Sequence, residues 1–154
     1  MKLPTQDRPG LPLLVVLALA HCTLLACAAT SGRDDVPPEI AERVNPVELE
    51  DSELRYYRRQ FKGKCARCHG PEGTGAGEQA AKQAVPPTDF TDVTYMQTRS
   101  DGQLFYQILV GGGERCAMPA FGPESDYAWS EEKIWHLVAY VRRFANASGQ
   151  LSDR

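Results

Sequence analysis

The sequence predicts an all-α domain of three to five helices over residues 46–148, followed by a short tail at residues 149–154. Apolar side chains recur at helical spacing in three segments of this region, and little of it has the pattern of a buried strand. The connections between these segments are rich in glycine and proline, which interrupt helices. The total length of 154 residues fits one domain with accessory segments.

Residues 1–26 have the pattern of a signal peptide. The apolar run from Leu11 to Ala26 is too short for a membrane span of about 20 residues. It ends in Leu24-Leu25-Ala26-Cys27, which resembles a bacterial lipobox. That resemblance implies cleavage before Cys27 and acylation of its thiol, which would attach the mature protein to a membrane. Ordinary cleavage at an A-x-A site around Cys27 is an alternative that also predicts export. An uncleaved membrane anchor is the third possibility.

Residues 27–45 are predicted to form a flexible tether. The segment Thr30–Asp35 is polar, and the prolines of Val36-Pro37-Pro38 cannot continue a helix. Asn45-Pro46 then marks the start of the folded domain.

The first long helix is predicted to begin near Ser52, with Asp51 or Ser52 as its cap. Apolar residues at helical spacing mark its buried face: Leu54, Tyr57 and Phe61. The rest of the helix is strongly basic, through Arg55, Arg58, Arg59, Lys62 and Lys64. This pattern fits either a solvated helical face or a docking patch for an acidic partner.

The segment Cys65-Ala66-Arg67-Cys68-His69 has the C-x-x-C-H pattern of covalent c-type haem attachment. The thiols of Cys65 and Cys68 would add to the haem vinyl groups, and His69 would become an axial ligand of the iron. A zinc site would need four ligands, and a thioredoxin-like disulfide would need a βαβ pattern around it. Haem is therefore favoured, with zinc and a disulfide as the open alternatives.

The motif is followed by a glycine-rich loop, residues 70–77, and by Pro86-Pro87-Thr88-Asp89-Phe90. The glycines are predicted to let the backbone turn tightly against a flat macrocycle. A carbonyl of the proline-containing segment is predicted to accept a hydrogen bond from the second ring nitrogen of His69.

A second helix is predicted from Ser100, where Ser100 and Gln103 have the form of a capping box. Its apolar stripe consists of Leu104, Phe105, Ile108 and Leu109, and Gly111 ends it.

Met118 lies in a proline-containing loop, where a methionine is unlikely to be an ordinary core residue. Its thioether is a soft ligand that suits haem iron opposite a histidine, so Met118 is the predicted sixth ligand. Met96 is the alternative candidate for this sixth ligand.

Cys116 is interpreted first as an inert thiol, with a redox-sensitive thiol and an intermolecular disulfide as alternatives.

The last helix is predicted to begin at Ser130. Its apolar face is formed by Ile134, Leu137, Val138, Val141 and Phe144 or Ala145. His136 is interpreted as a partly exposed helix residue.

The chain is nearly balanced in charge, with 17 basic and 20 acidic residues. Removal of residues 1–26 leaves 15 against 19. This balance argues against nucleic-acid binding, which favours a basic face.

Residues 46–148 resemble the class I cytochrome c family of small monohaem bacterial proteins. The resemblance rests on the helix running into Cys65–Gly70, on the glycine loop, on Met118-Pro119-Ala120-Phe121 and on the closing helix. It implies an all-α fold around one covalently bound haem c, with the first and last helices crossing. It also implies thioether attachment at Cys65 and Cys68, and iron ligation by His69 and Met118.

The chain departs from this family at Tyr57, eight residues before Cys65, where many members have a glycine that lets the terminal helices pack closely. A wider or locally rearranged crossing is therefore expected.

Together these features predict an exported carrier of single electrons, in the periplasm and membrane-anchored through Cys27, acting with redox partner proteins. It is not expected to be an enzyme by itself, although such domains also occur as subunits of larger oxidoreductases. A haem-based gas sensor or a peroxide-reactive protein with a labile Met118 is the alternative, and His136 is its candidate distal group. A structural zinc module is the third functional hypothesis.

Overall fold

The computed structural model describes residues 35–113 and 116–152, with the backbone alone described for 148–152. These residues form the α-helices α1 (Pro38–Ala41), α2 (Asp51–Lys64), α3 (Ala66–His69), α4 (Val93–Gln97), α5 (Asp101–Val110) and α6 (Glu131–Ser152). A 3-10 turn spans Ala80–Lys82. Because residues 35–113 and 116–152 contain no strand, the predicted all-α class is confirmed.

Several predictions concern the first part of the chain. The signal peptide, Cys27 and the tether up to residue 34 lie outside the described residues. At the other end, α6 continues to Ser152, four residues into the predicted tail. Of the helices that the structure describes, none combines the length and the apolar character needed to span a bilayer.

The segment 38–45, predicted as part of the flexible tether, packs against the domain instead. Pro38 opens α1 at the first helical position, where its missing N–H costs no hydrogen bond. A side chain at Gly102 of α5 would collide with the carbonyl of Ile40, so the two helices touch through backbone. Arg43 then lies over the rings of Phe105 and Trp135, 5.0 Å from each centroid.

The helix α2 begins one residue earlier than predicted, and its cap is Glu50. The reason is that the Glu53 carboxylate accepts a hydrogen bond from the backbone N–H of Glu50, at 3.3 Å. Tyr57 and Phe61 are buried as predicted, and Phe61 is fully enclosed.

Aromatic side chains fill the contact between α2 and α6. The Phe61 ring lies 5.5 Å from that of Tyr140 and 5.0 Å from that of Phe144. The ring of Tyr57 stacks on the imidazole of His136 with centroids 5.0 Å apart and planes within 3°. The expected local rearrangement at Tyr57 therefore takes the form of a stacked pair.

His136 is only 8% exposed, so its interpretation as a partly exposed residue was wrong. Tyr57 covers it from α2, a contact between positions far apart in the sequence. The His136 Nδ1 lies 2.9 Å from the Glu132 carbonyl oxygen, which can only accept, so Nδ1 carries the proton. The Nε2 atom faces the Glu53 carboxylate at 3.5 Å.

Arg142 joins α6 to the ends of α4 and α5. Its Nε donates to the Asp101 carboxylate at 2.8 Å, and its two terminal nitrogens donate to the carbonyls of Met96 and Arg99. The predicted capping box at Ser100 and Gln103 is present, and α5 ends before Gly111 as predicted.

Tyr57 predicts how stability depends on alkaline pH. Burial, followed by the charges of Glu53, Tyr56 and Glu132, raises the pKa of the Tyr57 hydroxyl from 10.0 to about 12. The unfolded state therefore loses this proton first as the pH rises. The contribution of Tyr57 to the free energy of unfolding should be complete below pH 10 and should be lost between about pH 10 and 12.

Urea unfolding of the haem-loaded protein, followed by far-ultraviolet circular dichroism across this pH range, tests the prediction. Tyr57→Phe cannot ionise and should show a shallower alkaline decline than the native chain. Some decline should remain, since burial also raises the pKa of Tyr140. The same slope in both proteins would show that Tyr57 does not cause it.

Candidate functional site

The helix α2 leads directly into the C-x-x-C-H motif. Cys65 ends α2, and the single turn of α3 follows at once. The Cys65 carbonyl accepts from the backbone N–H groups of Cys68 and His69, at 3.1 and 2.9 Å. This turn brings the three motif side chains to the wall of one cavity.

The cavity has an empty volume of about 930 Å³, which includes its open mouth. Its wall also contains apolar side chains from α5, α6 and the loop after α5: Leu104, Ile108, Met118, Phe121 and Val141. A space of this size with an apolar wall and few polar groups is typical of small-molecule and cofactor sites. Cys65, Cys68, His69 and Met118, separated by up to 53 positions in the sequence, all line it.

His69 is held in one orientation. Its Nδ1 lies 3.0 Å from the carbonyl oxygen of Thr88, which can only accept, so Nδ1 carries the proton. The predicted carbonyl partner from the proline-containing segment is thus that of Thr88. The imidazole is 9% exposed and stacks on Phe90, with ring centroids 4.6 Å apart. In the neutral ring, Nε2 keeps a lone pair with which it can bind a metal.

The glycine loop turns against the protein's own backbone, not against the cavity as the sequence predicted. A side chain at Gly75, where φ is +74°, would come within 2.7 Å of the Pro87 carbonyl oxygen. One at Gly77 would come within 2.5 Å of the carbonyls of Ala66 and Arg67. The N–H of Gly75 in turn donates to the His69 carbonyl at 2.8 Å. The loop therefore holds the motif against the segment that carries Thr88.

The Met118 loop is fixed by the end of α5. The Gly112 N–H donates to the Met118 carbonyl at 2.9 Å, and the Phe121 N–H donates to the Ile108 carbonyl at 3.0 Å. The Met118 side chain is half-buried and packs against the core. Met96, its rival, is 1% exposed within the core and is absent from the cavity wall, as is His136.

Cys116 also lines the cavity, which the sequence interpretation did not predict. Its spacing of two residues from Met118 was the available signal. Lys64 and Arg67 lie on the same wall.

The zinc and disulfide alternatives find no support in the described residues. Within the described residues, no disulfide joins Cys65, Cys68 or Cys116. Within residues 35–113 and 116–152, no three His, Cys, Asp or Glu side chains converge as a metal-binding group.

An all-α domain with these residues around one apolar cavity has the fold and the site of a c-type cytochrome. Residues 53–141 match the family described as cytochrome c oxidase, cbb3-type, subunit III. The match spans more than half of the chain, and the chain belongs to this family of cytochrome c domains. Its cofactor is one covalently bound haem c, which the donor set and the apolar wall of the cavity fit.

A chain of the Kuenenia stuttgartiensis reducing HAO-like protein complex Kustc0457/Kustc0458 is similar in structure, with a TM-score of 0.53 and 25% sequence identity. The similarity covers 64% of this chain and 46% of that one, so this chain spans about half the length of its neighbour. No curated protein matches the sequence. The family match identifies the protein as an electron-transfer haem protein of the cytochrome c type.

Two glycines after α5 provide a matched test of how the Met118 loop is positioned. Gly111 and Gly113 both have positive φ, +78° and +66°. A methyl group at Gly111 would come within 2.7 Å of the Met118 carbonyl oxygen and the Ala120 nitrogen, whereas one at Gly113 meets nothing within 4 Å. Alanine should be strained at both positions because φ is positive, and the strain should be larger at Gly111, roughly 1–3 kcal/mol, because its ψ of −166° falls in a region that is essentially restricted to glycine.

Only Gly111→Ala should also displace Met118, the predicted iron ligand. Reduced Gly111→Ala protein should therefore bind carbon monoxide, as detected by a change in its haem absorption, and Gly113→Ala should not. Carbon monoxide binding by both variants, or by neither, would show that the contact at Gly111 does not control the loop.

Proposed function

We propose that this chain is an exported electron carrier that exchanges single electrons with redox partner proteins. The observation that supports it most is the convergence of Cys65, Cys68, His69 and Met118 on one apolar cavity, with His69 oriented by Thr88. The bound haem supplies a one-electron iron couple.

Each of the four side chains has a distinct role in this proposal. Cys65 and Cys68 hold the haem through thioether bonds. His69, whose Nδ1–H donates to the Thr88 carbonyl, would offer Nε2 to the iron. Met118 would offer its thioether sulfur to the same iron, and histidine with methionine ligation raises the reduction potential.

The surrounding chain keeps this ligand set in place. The Thr88 carbonyl fixes the His69 ring, and Gly112 fixes the backbone of Met118. Apolar side chains of α5 and α6 line the cavity, which makes its wall unfavourable for water. Ligands held in this way need little rearrangement when the charge of the site changes by one, which favours electron transfer.

The sensor or catalyst alternative needs a side chain beside the iron that can handle protons or bind a gas. His136 was the residue proposed for that role. It stacks on Tyr57 and does not line the cavity. The electron carrier is therefore the better supported function.

The proposal extends to location and assembly. The predicted signal peptide and the lipobox-like Cys27 support a location in the periplasm, with attachment to a membrane through an acylated cysteine. Because the structural neighbour belongs to a two-protein complex, this chain is proposed to serve redox partners either as a free carrier or as a subunit of an oxidoreductase.

The ligand role of Met118 is tested with carbon monoxide. The reduced native protein should have a low-spin spectrum that carbon monoxide leaves unchanged, because both axial positions are occupied. Met118→Ala should bind carbon monoxide and have a lower reduction potential. Met96→Leu, a conservative change in the core away from the cavity, should behave like the native chain. Carbon monoxide binding by the native protein would overturn the role of Met118.

The membrane attachment is tested at Cys27. After expression in a bacterial host that attaches c-type haem, the native chain should be recovered with the membrane fraction. Cys27→Ser should be released into the periplasmic fraction with its haem, and Cys22→Ser should stay with the membrane. An unchanged distribution of Cys27→Ser would exclude the lipid anchor.

A further inference from the structure

The positive charge of this protein is concentrated on one short stretch. Residues 54–71 contain six basic residues and no acidic one, whereas the remaining chain has 11 basic and 20 acidic residues. All six are exposed: Arg55, Arg58, Arg59, Lys62, Lys64 and Arg67. A chain with a negative total charge therefore has one strongly basic surface.

Four of these residues form a basic stripe along α2, defined as Arg55, Arg58, Arg59 and Lys62. Their spacing of three, four and seven positions places them on one helical face, over about 10 Å. The opposite face, with Tyr57 and Phe61, is buried in the core. The stripe therefore points away from the domain.

The stripe is not neutralised by ion pairs in the described part of the chain. The ion pairs Arg43–Glu131, His136–Glu53 and Arg142–Asp101 all lie outside the stripe. Within the stripe, Arg58 hydrogen-bonds the Tyr140 hydroxyl, a partner without charge. The positive charge of the stripe thus remains available to a partner.

The stripe leads to the mouth of the haem cavity. Lys62 lies three residues before Cys65, and Lys64 and Arg67, which follow the stripe, both line the cavity. The Lys64 ammonium lies 5.2 Å from the centre of the Tyr127 ring, which holds it near this wall. The basic surface therefore extends from the outside of α2 to the place where the haem is attached.

We infer that the basic stripe is the docking surface for a redox protein whose own surface is rich in carboxylates. This inference rests on the proposed electron-carrier function. One electron would pass between the partner and the haem across the adjacent mouth, so that one is oxidised as the other is reduced. Opposite charges would accelerate the encounter and orient the partner towards this mouth.

A membrane surface fits the stripe less well. An interfacial helix buries an apolar face among the lipids, but the apolar face of α2 is already buried against α6. Anionic lipid would therefore meet charge alone, without insertion.

The test uses gold electrodes coated with alkanethiols that end in carboxylate or in ammonium groups, with the haem-loaded protein. Cyclic voltammetry should show fast electron exchange on the carboxylate surface and little on the ammonium surface. The rate on carboxylate should fall as salt is added, because the Debye length shortens from about 10 Å at 0.1 M towards 3 Å at 1 M.

Two double variants with the same change in net charge separate the stripe from total charge. Arg55→Gln with Arg59→Gln removes two exposed cations of the stripe that do not bond Tyr140. Arg43→Gln with Lys133→Gln removes two cations near Trp135 and Trp129. The stripe variant should lose about tenfold in rate on carboxylate, and the control should stay within about twofold of the native chain. Equal losses in both, or no preference for carboxylate, would overturn the inference.

Two further measurements complete the test. A reversible midpoint potential, measured with dissolved mediators, should be the same in all three proteins. The absence of a reversible potential in the native chain would contradict the electron-carrier function itself, independently of the stripe.

Sedimentation of the protein with phosphatidylglycerol vesicles should be weak. Strong sedimentation that the stripe variant loses would assign the stripe to a membrane and would overturn the proposal of a protein partner.

Discussion

The hydrogen bond from His69 to the Thr88 carbonyl is the contact on which the rest of the site depends. It fixes the tautomer of the imidazole and leaves Nε2 as the atom that can bind iron. The surrounding loops position both partners, since Gly75 bonds the His69 carbonyl and lies against Pro87. The glycine-rich loop therefore connects His69 to the segment whose carbonyl orients it.

The helix α2 serves three purposes through three parts of its surface. Its buried face supplies Phe61 to the aromatic contact with α6. Its end at Cys65 starts the haem motif, so the packing of α2 also determines where that motif lies. Its outer face has the basic stripe. Because all three belong to one rigid helix, the stripe has a fixed position relative to the cavity.

The sequence was most informative where the structure depends on local patterns. Helical spacing and capping residues located α2 and α5 to within a residue or two, and the haem motif needs only five consecutive positions. The predictions failed where distant residues meet. The burial of His136 depends on Tyr57, and the packing of α1 depends on Gly102. The glycine loop was located correctly, but its neighbour, the Pro87 backbone, has no signature in the glycines themselves.

Tyr57 shows how such a distant contact can replace a family feature. A glycine at this position lets two helices approach because it has no side chain, whereas Tyr57 fills the space and stacks on His136 at 5.0 Å. His136 also makes polar contacts with both helices. Its Nδ1–H donates to the Glu132 carbonyl within α6, and its Nε2 faces the Glu53 carboxylate of α2. The contact between α2 and α6 at this position thus depends on a stacked aromatic pair and a polar contact to Glu53.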